Sequence, residues 1–184
     1  AESFKVVIDN SPVKLSGDRM DVRVRETNLG NAVADALLDY CQSDFTHKSN
    51  LAVTNGGGLR ETIAKDKPIT KGDIIAVLPF GNSVAQIQVI GQNIYDMFVK
   101  SLGSILQVDE SGKNVFDENG QPLLEPSGGF LQVAGARVYY DTTLPTEKRI
   151  LSIDILDPET GVYKPLNTTE TYYLVTNDFL ACWW

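Results

Sequence analysis

Two stretches of this chain carry the 3.6-residue rhythm of an amphipathic helix. From Asn28 to Gln42 the apolar positions Leu29, Val33, Ala36, Leu37 and Tyr40 recur on one face, with Thr27 or Asn28 as the cap. From Gln92 to Leu102 the same spacing groups Ile94, Met97, Phe98 and Leu102, and Gly103 suits the stop. Elsewhere apolar and polar residues alternate, as they do along a half-buried strand. Ser83 to Ile90 sets Ala85, Ile87 and Val89 against Gln86 and Gln88, and Ile150 to Leu156 sets Leu151, Ile153 and Ile155 against Ser152 and Asp154. Further strands are expected at Leu131 to Tyr140 and Thr171 to Thr176, with an edge strand at Phe4 to Asp9 and a short buried one at Leu51 to Thr54. Helical turns are expected at Leu59 to Ala64 and at Ile69 to Ile75. Helices early and strands late predict an α+β fold: a single domain over residues 1–184, with a mixed or largely antiparallel sheet and packed helices.

Leu106 to Ser127 breaks both rhythms. It is acidic and rich in turn residues, and it reads as a mobile surface excursion without chemistry, tipped by Asp117-Glu118-Asn119-Gly120. At 184 residues the chain is too short for two ordinary domains. No apolar run is long enough to span a bilayer. Ala1-Glu2-Ser3 shows no signal core, so a targeting segment is expected to be removed or to lie upstream.

A net charge of −8 argues against nucleic-acid backbones as partners. Against that background Arg19, Arg23, Arg25 and Arg60 form a local positive spot able to focus an anion. Cys41 and Cys182 have no paired spacing and imply neither a disulfide framework nor a zinc site. The single histidine, His47, lies in a polar stretch. A two-metal hydrolytic centre needs several clustered His and Asp ligands, so the expectation is no metal, no cofactor and no catalytic residue in this chain.

Two motifs stand out. Asn55-Gly56-Gly57-Gly58-Leu59-Arg60 follows the apolar run Leu51-Ala52-Val53, and Leu78-Pro79-Phe80-Gly81-Asn82 comes some twenty residues later. Three successive glycines are costly to order and persist where backbone turns sharply or approaches something closely. An arginine just after them offers a planar fork for phosphate or carboxylate, or it is simply a surface residue. These motifs are joined by Gly17-Asp18-Arg19, by Arg23 to Asn31, and by Asn177-Asp178-Phe179-Leu180-Ala181. Together, from about Val13 to Ala181, they resemble the C-terminal domain of the bacterial and animal 5'-nucleotidases.

The resemblance implies a domain that grips a nucleotide or nucleoside of the adenosine or AMP kind. Two divalent metals would then sit in a separate N-terminal metallophosphoesterase domain. It implies that Phe80 and Phe179 sandwich the base, where the residues alone allow both rings to fill the core. It places Asn82 on the base edge and Asn55 on the ribose, although either asparagine also suits a turn. It places Arg19, Arg23 and Arg60 on phosphate or neighbouring ribose oxygens. Arg25 alternates with Arg23 along what reads as an extended segment and is expected to point away.

The chain departs from the family at its end. Members continue Phe-Leu-Ala-x with Gly-Gly-Asp-Gly, whose aspartate holds the ribose hydroxyls; here Cys182-Trp183-Trp184 follows Ala181. Gly-Gly-Asp encoded GGT-GGT-GAT reads TGG-TGG-TGA in a shifted frame, so a single-base insertion is expected to account for an apparently truncated end, with a native ending as the alternative. A pocket open on that side, weakened binding and two tryptophans beside Phe179 are the expected consequences. The resulting reading is the substrate-binding domain of a secreted, cell-surface or periplasmic 5'-nucleotidase, inactive by itself. A stand-alone nucleotide-binding or surface-interaction module, or a domain of a related cyclic-nucleotide phosphodiesterase or nucleotide-sugar hydrolase, is the competing reading.

Overall fold

Leu51 to Asn55 is buried along its whole length, and that explains why this short run does not alternate: it is the inner strand of a sheet covered on both faces. In the computed structural model, which describes residues 2–182, the chain runs through β1 (Val7–Asn10), α1 (Arg19–Val22), α2 (Asn28–Asp44), β2 (Leu51–Asn55), β3 (Pro68–Thr70), α3 (Lys71–Val77), β4 (Val84–Ile90) and α4 (Gly91–Ser101). It continues through β5 (Leu131–Ala134), β6 (Ala136–Tyr140), β7 (Ile150–Leu156), β8 (Tyr163–Pro165), β9 (Thr171–Asn177) and α5 (Asp178–Ala181). Trp183 and Trp184, the two tryptophans expected beside Phe179, lie outside the described residues.

The central sheet has the order β4-β9-β2-β5. Only β2 and β9 run parallel; the other two pairings are antiparallel, so the sheet is mixed, as the pattern predicted. On one face Leu51, Val53, Tyr172 and Leu174 meet Ile94, Met97 and Phe98 of α4, with Ile153 and Ile155 of β7 behind them. On the other face Ala52, Ala134 and Val175 meet Ala34 and Cys41 of α2. Small residues on that side let α2 approach closely. Each large side chain so buried contributes roughly 1.5–3 kcal/mol relative to exposure. A second three-stranded sheet, β6-β7-β8, is antiparallel throughout, and β1 and β3 form a separate ribbon.

Both long helices lie where the periodicity put them. Thr27 caps α2, its hydroxyl accepting from the Gly30 N–H at 3.0 Å. Five expectations need correction. The edge strand expected over Phe4 to Asp9 begins only at Val7 and runs to Asn10, because Glu2–Lys5 forms a short 3-10 helix ahead of it. Leu59 to Ala64 is not helical: Ile63 forms an isolated bridge to Leu15, fixed by mutual backbone bonds of 3.0 Å. The helix expected from Ile69 begins at Lys71, because β3 occupies Pro68–Thr70 and Thr70 caps the helix through a reciprocal bond with Asp73. The strand expected over Leu131 to Tyr140 breaks at Gly135, whose φ of 70° turns the chain from the central sheet into the second one. The segment from Arg23 to Arg25 is not extended: it follows directly on the helical turn Arg19–Val22, which the Asp18 carboxylate caps at the Met20 N–H at 2.7 Å, and the Arg25 N–H donates back to the Asp21 carbonyl at 3.1 Å.

Candidate functional site

The register of the central sheet brings distant motifs to one edge. Val84, which starts β4, lies opposite Asn177, which ends β9. Leu-Pro-Phe-Gly-Asn before β4 and Asp-Phe-Leu-Ala after β9 therefore leave the sheet side by side, and the Asp178 N–H donates to the Ser83 carbonyl at 2.9 Å. β2 runs parallel to β9, so its glycine turn emerges at the same edge. β5 begins there too, Leu131 opposite Asn55, with Ser127-Gly128-Gly129 just ahead of it. The 106–127 excursion is thus not without bearing on the site: its last residue and the two glycines after it line the cleft.

That cleft has a volume of about 1080 Å³ and a wall that is mainly apolar. Of the residues singled out from the sequence, Asn55, Phe80, Asn82 and Phe179 line it. Phe80 is 59% exposed and Phe179 51%, so neither ring fills the core. Gly81 has φ 64°, a left-handed conformation that turns the chain after Phe80, with nothing near the position a Cβ would take. Leu180 of the same short helix is buried, and Phe179 beside it is left at the cleft.

Asn55 is 8% exposed, and its amide ties the cleft wall together. It donates to the Gly128 carbonyl at 3.1 Å and accepts from the Asn177 amide at 3.3 Å. Asn177 in turn caps α5, its Oδ1 accepting from the Leu180 N–H at 2.8 Å. Asn177 is the residue whose role the sequence reading missed. An asparagine directly before Asp-Phe-Leu is a cap signal that could have revealed it.

The three expected anion-binding arginines form a cluster beside the cleft. Arg19 and Arg23 are four residues apart across a helical turn, which places them on one side. The Arg60 guanidinium sits 5.6 Å from the centroid of the Phe80 ring, joining the cluster to the aromatic wall. Burial, then the positive charges of Arg19 and Arg60, lower the Arg23 pKa from its ordinary value, although an arginine so placed stays charged. The Arg23 Nε is buried and has no hydrogen-bond partner among the described residues. A buried, unpaired donor amid like charges is a costly arrangement without an anion.

Arg25 takes no part in this cluster. It pairs with Asp21 and with Glu118 of the excursion, both at 2.6 Å. Burial raises the Asp21 carboxyl, but hydrogen bonds from Arg25 and Ser16 outweigh it and hold the group below the usual carboxylate value. The glycine turn is explained by close approach: a Cβ on Gly56 would lie 2.0 Å from the Val22 carbonyl oxygen, in the arginine segment. Among the described residues no group of three or more His, Cys, Asp or Glu side chains could hold a metal ion. No described helix is long and apolar enough to cross a membrane. Cys41 and Cys182 are both free, the first buried and the second exposed.

An aromatic-walled cleft beside a guanidinium cluster, set at the edge of a mixed sheet, is the feature this α+β domain presents. The sequence profile of the 5'-nucleotidase C-terminal domain matches residues 7–182, and the chain belongs to that family. It is 33% identical over 169 residues to the trifunctional nucleotide phosphoesterase of Bacillus subtilis, covering 92% of this chain and 10% of that protein. It is 32% identical over 186 residues to a snake venom 5'-nucleotidase of Gloydius brevicauda, covering 95% of this chain and 28% of the relative. Among solved structures, a 5'-nucleotidase precursor of Thermus thermophilus superposes with a TM-score of 0.78 at 32% identity, over 98% of this chain and 31% of that one. The chain therefore spans less than a third of the length of each of these relatives.

Proposed function

We propose that this domain binds the nucleotide of a 5'-nucleotidase substrate, a nucleoside 5'-monophosphate, and presents its phosphoester to a metal-bearing domain elsewhere in the full protein. The observation that carries this reading is the pairing of two half-exposed phenylalanines on one cleft with the Arg19–Arg23–Arg60 cluster, joined where Arg60 lies over Phe80. Phe80 and Phe179 take the flat base between them, and each such stack contributes on the order of 1–3 kcal/mol in nucleic-acid systems. Asn82, exposed at the rim beside Phe80, meets the base edge. Asn55 faces the ribose only through whatever hydrogen-bonding capacity its two internal bonds leave. Arg60, Arg23 and Arg19 take the phosphate through their planar guanidinium forks.

Hydrolysis to nucleoside and phosphate would belong to a partner domain outside this chain, whose two divalent metals would supply the Lewis-acid chemistry. The residues of this chain bind, orient and exclude water. Relatives described as a precursor and as a venom enzyme support a site of action outside the cytoplasm: secreted, cell-surface or periplasmic. Titration calorimetry with adenosine and with AMP tests the proposal. Saturable heat for both, with AMP bound more tightly, is expected. No heat at millimolar ligand from a protein that circular dichroism shows to be folded contradicts it.

A further inference from the structure

Arg19 and Arg60 bear on Arg23 as like charges beside the cleft, so the arginine segment keeps its place against repulsion. The polar group that opposes it is buried on the neighbouring strand. Gln132 of β5 is 1% exposed. Its Nε2 donates to the carbonyls of Val22 at 3.0 Å and Arg25 at 2.7 Å, and its Oε1 accepts from the Thr27 N–H at 3.0 Å. One carboxamide thus uses three of its four bonding positions on a six-residue segment, with attachment points on both sides of Arg23.

Neighbouring contacts converge on the same segment. The Arg23 carbonyl accepts from the Ser127 N–H at 3.0 Å. The Val22 carbonyl is pressed against Gly56. Helix α2 closes over the carboxamide, where a Cβ on Gly30 would lie 2.1 Å from the Gln132 Oε1. Gln132 pairs across the sheet with Thr54, one residue before Asn55, so the arginine segment is referenced directly to the strand that opens the cleft. A residue needed only to fill this core would be apolar. A glutamine here satisfies three backbone groups at once, and it fixes the backbone from which the half-buried Arg23 side chain projects.

We propose that Gln132 is a positioning residue for the anion site: it holds Arg23 in the guanidinium cluster against repulsion from Arg19 and Arg60, and so sets how much a phosphate group adds to ligand affinity. This rests on the nucleotide-binding reading above. The inference predicts a selective loss. Adenosine, which has no phosphate, depends on the aromatic wall; AMP depends on the wall and on Arg23.

The test compares dissociation constants for adenosine and AMP by calorimetry in the wild-type chain, Gln132→Leu, Arg23→Gln and the double variant. A charge-assisted bond to phosphate corresponds to a preference for AMP of roughly tenfold or more. Gln132→Leu is expected to remove that preference to the level of Arg23→Gln while leaving the adenosine constant within about twofold. The double variant is expected to fall no further, since both changes act through one group. A purely structural glutamine would lower the melting temperature and leave the ratio of the two constants at its wild-type value, and that result overturns the positioning role. Should Gln132→Leu not fold, Gln132→Asn, which keeps the amide but withdraws it by one methylene, is read by the same ratio. Equal constants for adenosine and AMP in the wild-type chain would instead remove the anion site itself, and the positioning role with it.

Discussion

Phe80→Ala separates stability from binding, because the ring is 59% exposed in the protein. A phenylalanine presents ~150–250 Å². Roughly 100 Å² of this ring therefore stands in water, and covering all of it would return about 2–3 kcal/mol at ~25 cal/mol/Å². A base covers one face rather than the whole, so the expected loss of adenosine affinity is about 1–2 kcal/mol, a roughly 5- to 30-fold rise in Kd. The same geometry limits the effect on folding. The buried remainder of the ring, roughly 70 Å², and the contact with Arg60 at 5.6 Å together hold no more than about 2–3 kcal/mol, since an exposed cation–π contact adds only ~0.5–1 kcal/mol. Calorimetry with adenosine gives the first quantity and thermal melting the second. An adenosine Kd within about twofold of wild type, in a folded Phe80→Ala protein, would refute the argument that this ring carries base binding.

Arg60→Gln is expected to weaken AMP by roughly tenfold and adenosine far less, and AMP binding to the wild-type chain should weaken as salt is raised from about 0.05 to about 0.5 M, as screening requires; titrations at two ionic strengths check both. Asn177→Ala removes the α5 cap and the tie to Asn55, so a loss of ~0.5–2 kcal/mol in urea unfolding is expected together with weaker adenosine binding, because Phe179 loses its platform. On the acid side, the Lys164 contact and then the Glu159 N–H pull the Asp157 carboxyl down to about 2 from 3.8. That stabilisation is complete above about pH 4 and is lost as pH falls from there towards about 2. Acid unfolding followed by circular dichroism should show a shallower loss between these values in Asp157→Asn than in wild type.

The sequence was most legible where one face of an element meets the core. Leu29, Val33 and Leu37 announced α2, and the alternation from Ala85 to Val89 announced β4, because burial imposes a repeat; the stripe read for α2 also took in Ala36 and Tyr40, which are exposed, and passed over Ala34 and Cys41, which meet the sheet. It was least legible where a backbone contact, not a side-chain pattern, decides the path. Nothing in Leu131 to Tyr140 but Gly135 marks the change of sheet, and Gly135 is excluded from carrying a side chain by the Asn50 carbonyl, far away in sequence. Three-residue β8 contains Pro165 and is too short for alternation to register. The arginine segment was misread as extended because Arg23 and Arg25 alternate, although Asp18 is a cap residue that foretold the helical turn after it.

At the site, the motifs identified which residues share an edge, and strand register explains why. Val84 opposite Asn177, and β2 beside β9, bring Phe80, Phe179 and the glycine turn together without any further assumption. What no motif disclosed was the internal bonding that holds them: Asn55 to Asn177 and Gly128, and Gln132 to the arginine segment. Such ties join residues far apart in the chain, Asn55 to Asn177 among them, and no local pattern encodes them.

The most direct measurement is proton NMR of AMP titrated with the folded chain. Adenine H2 and H8 held between two phenyl rings are predicted to move upfield by ring current and to saturate, with the shift reduced in Phe80→Ala and in Phe179→Ala. Saturable phosphorus-31 shifts with unmoved adenine protons would mean that the arginines hold the phosphate while the base stays in water, and the aromatic clasp would be wrong.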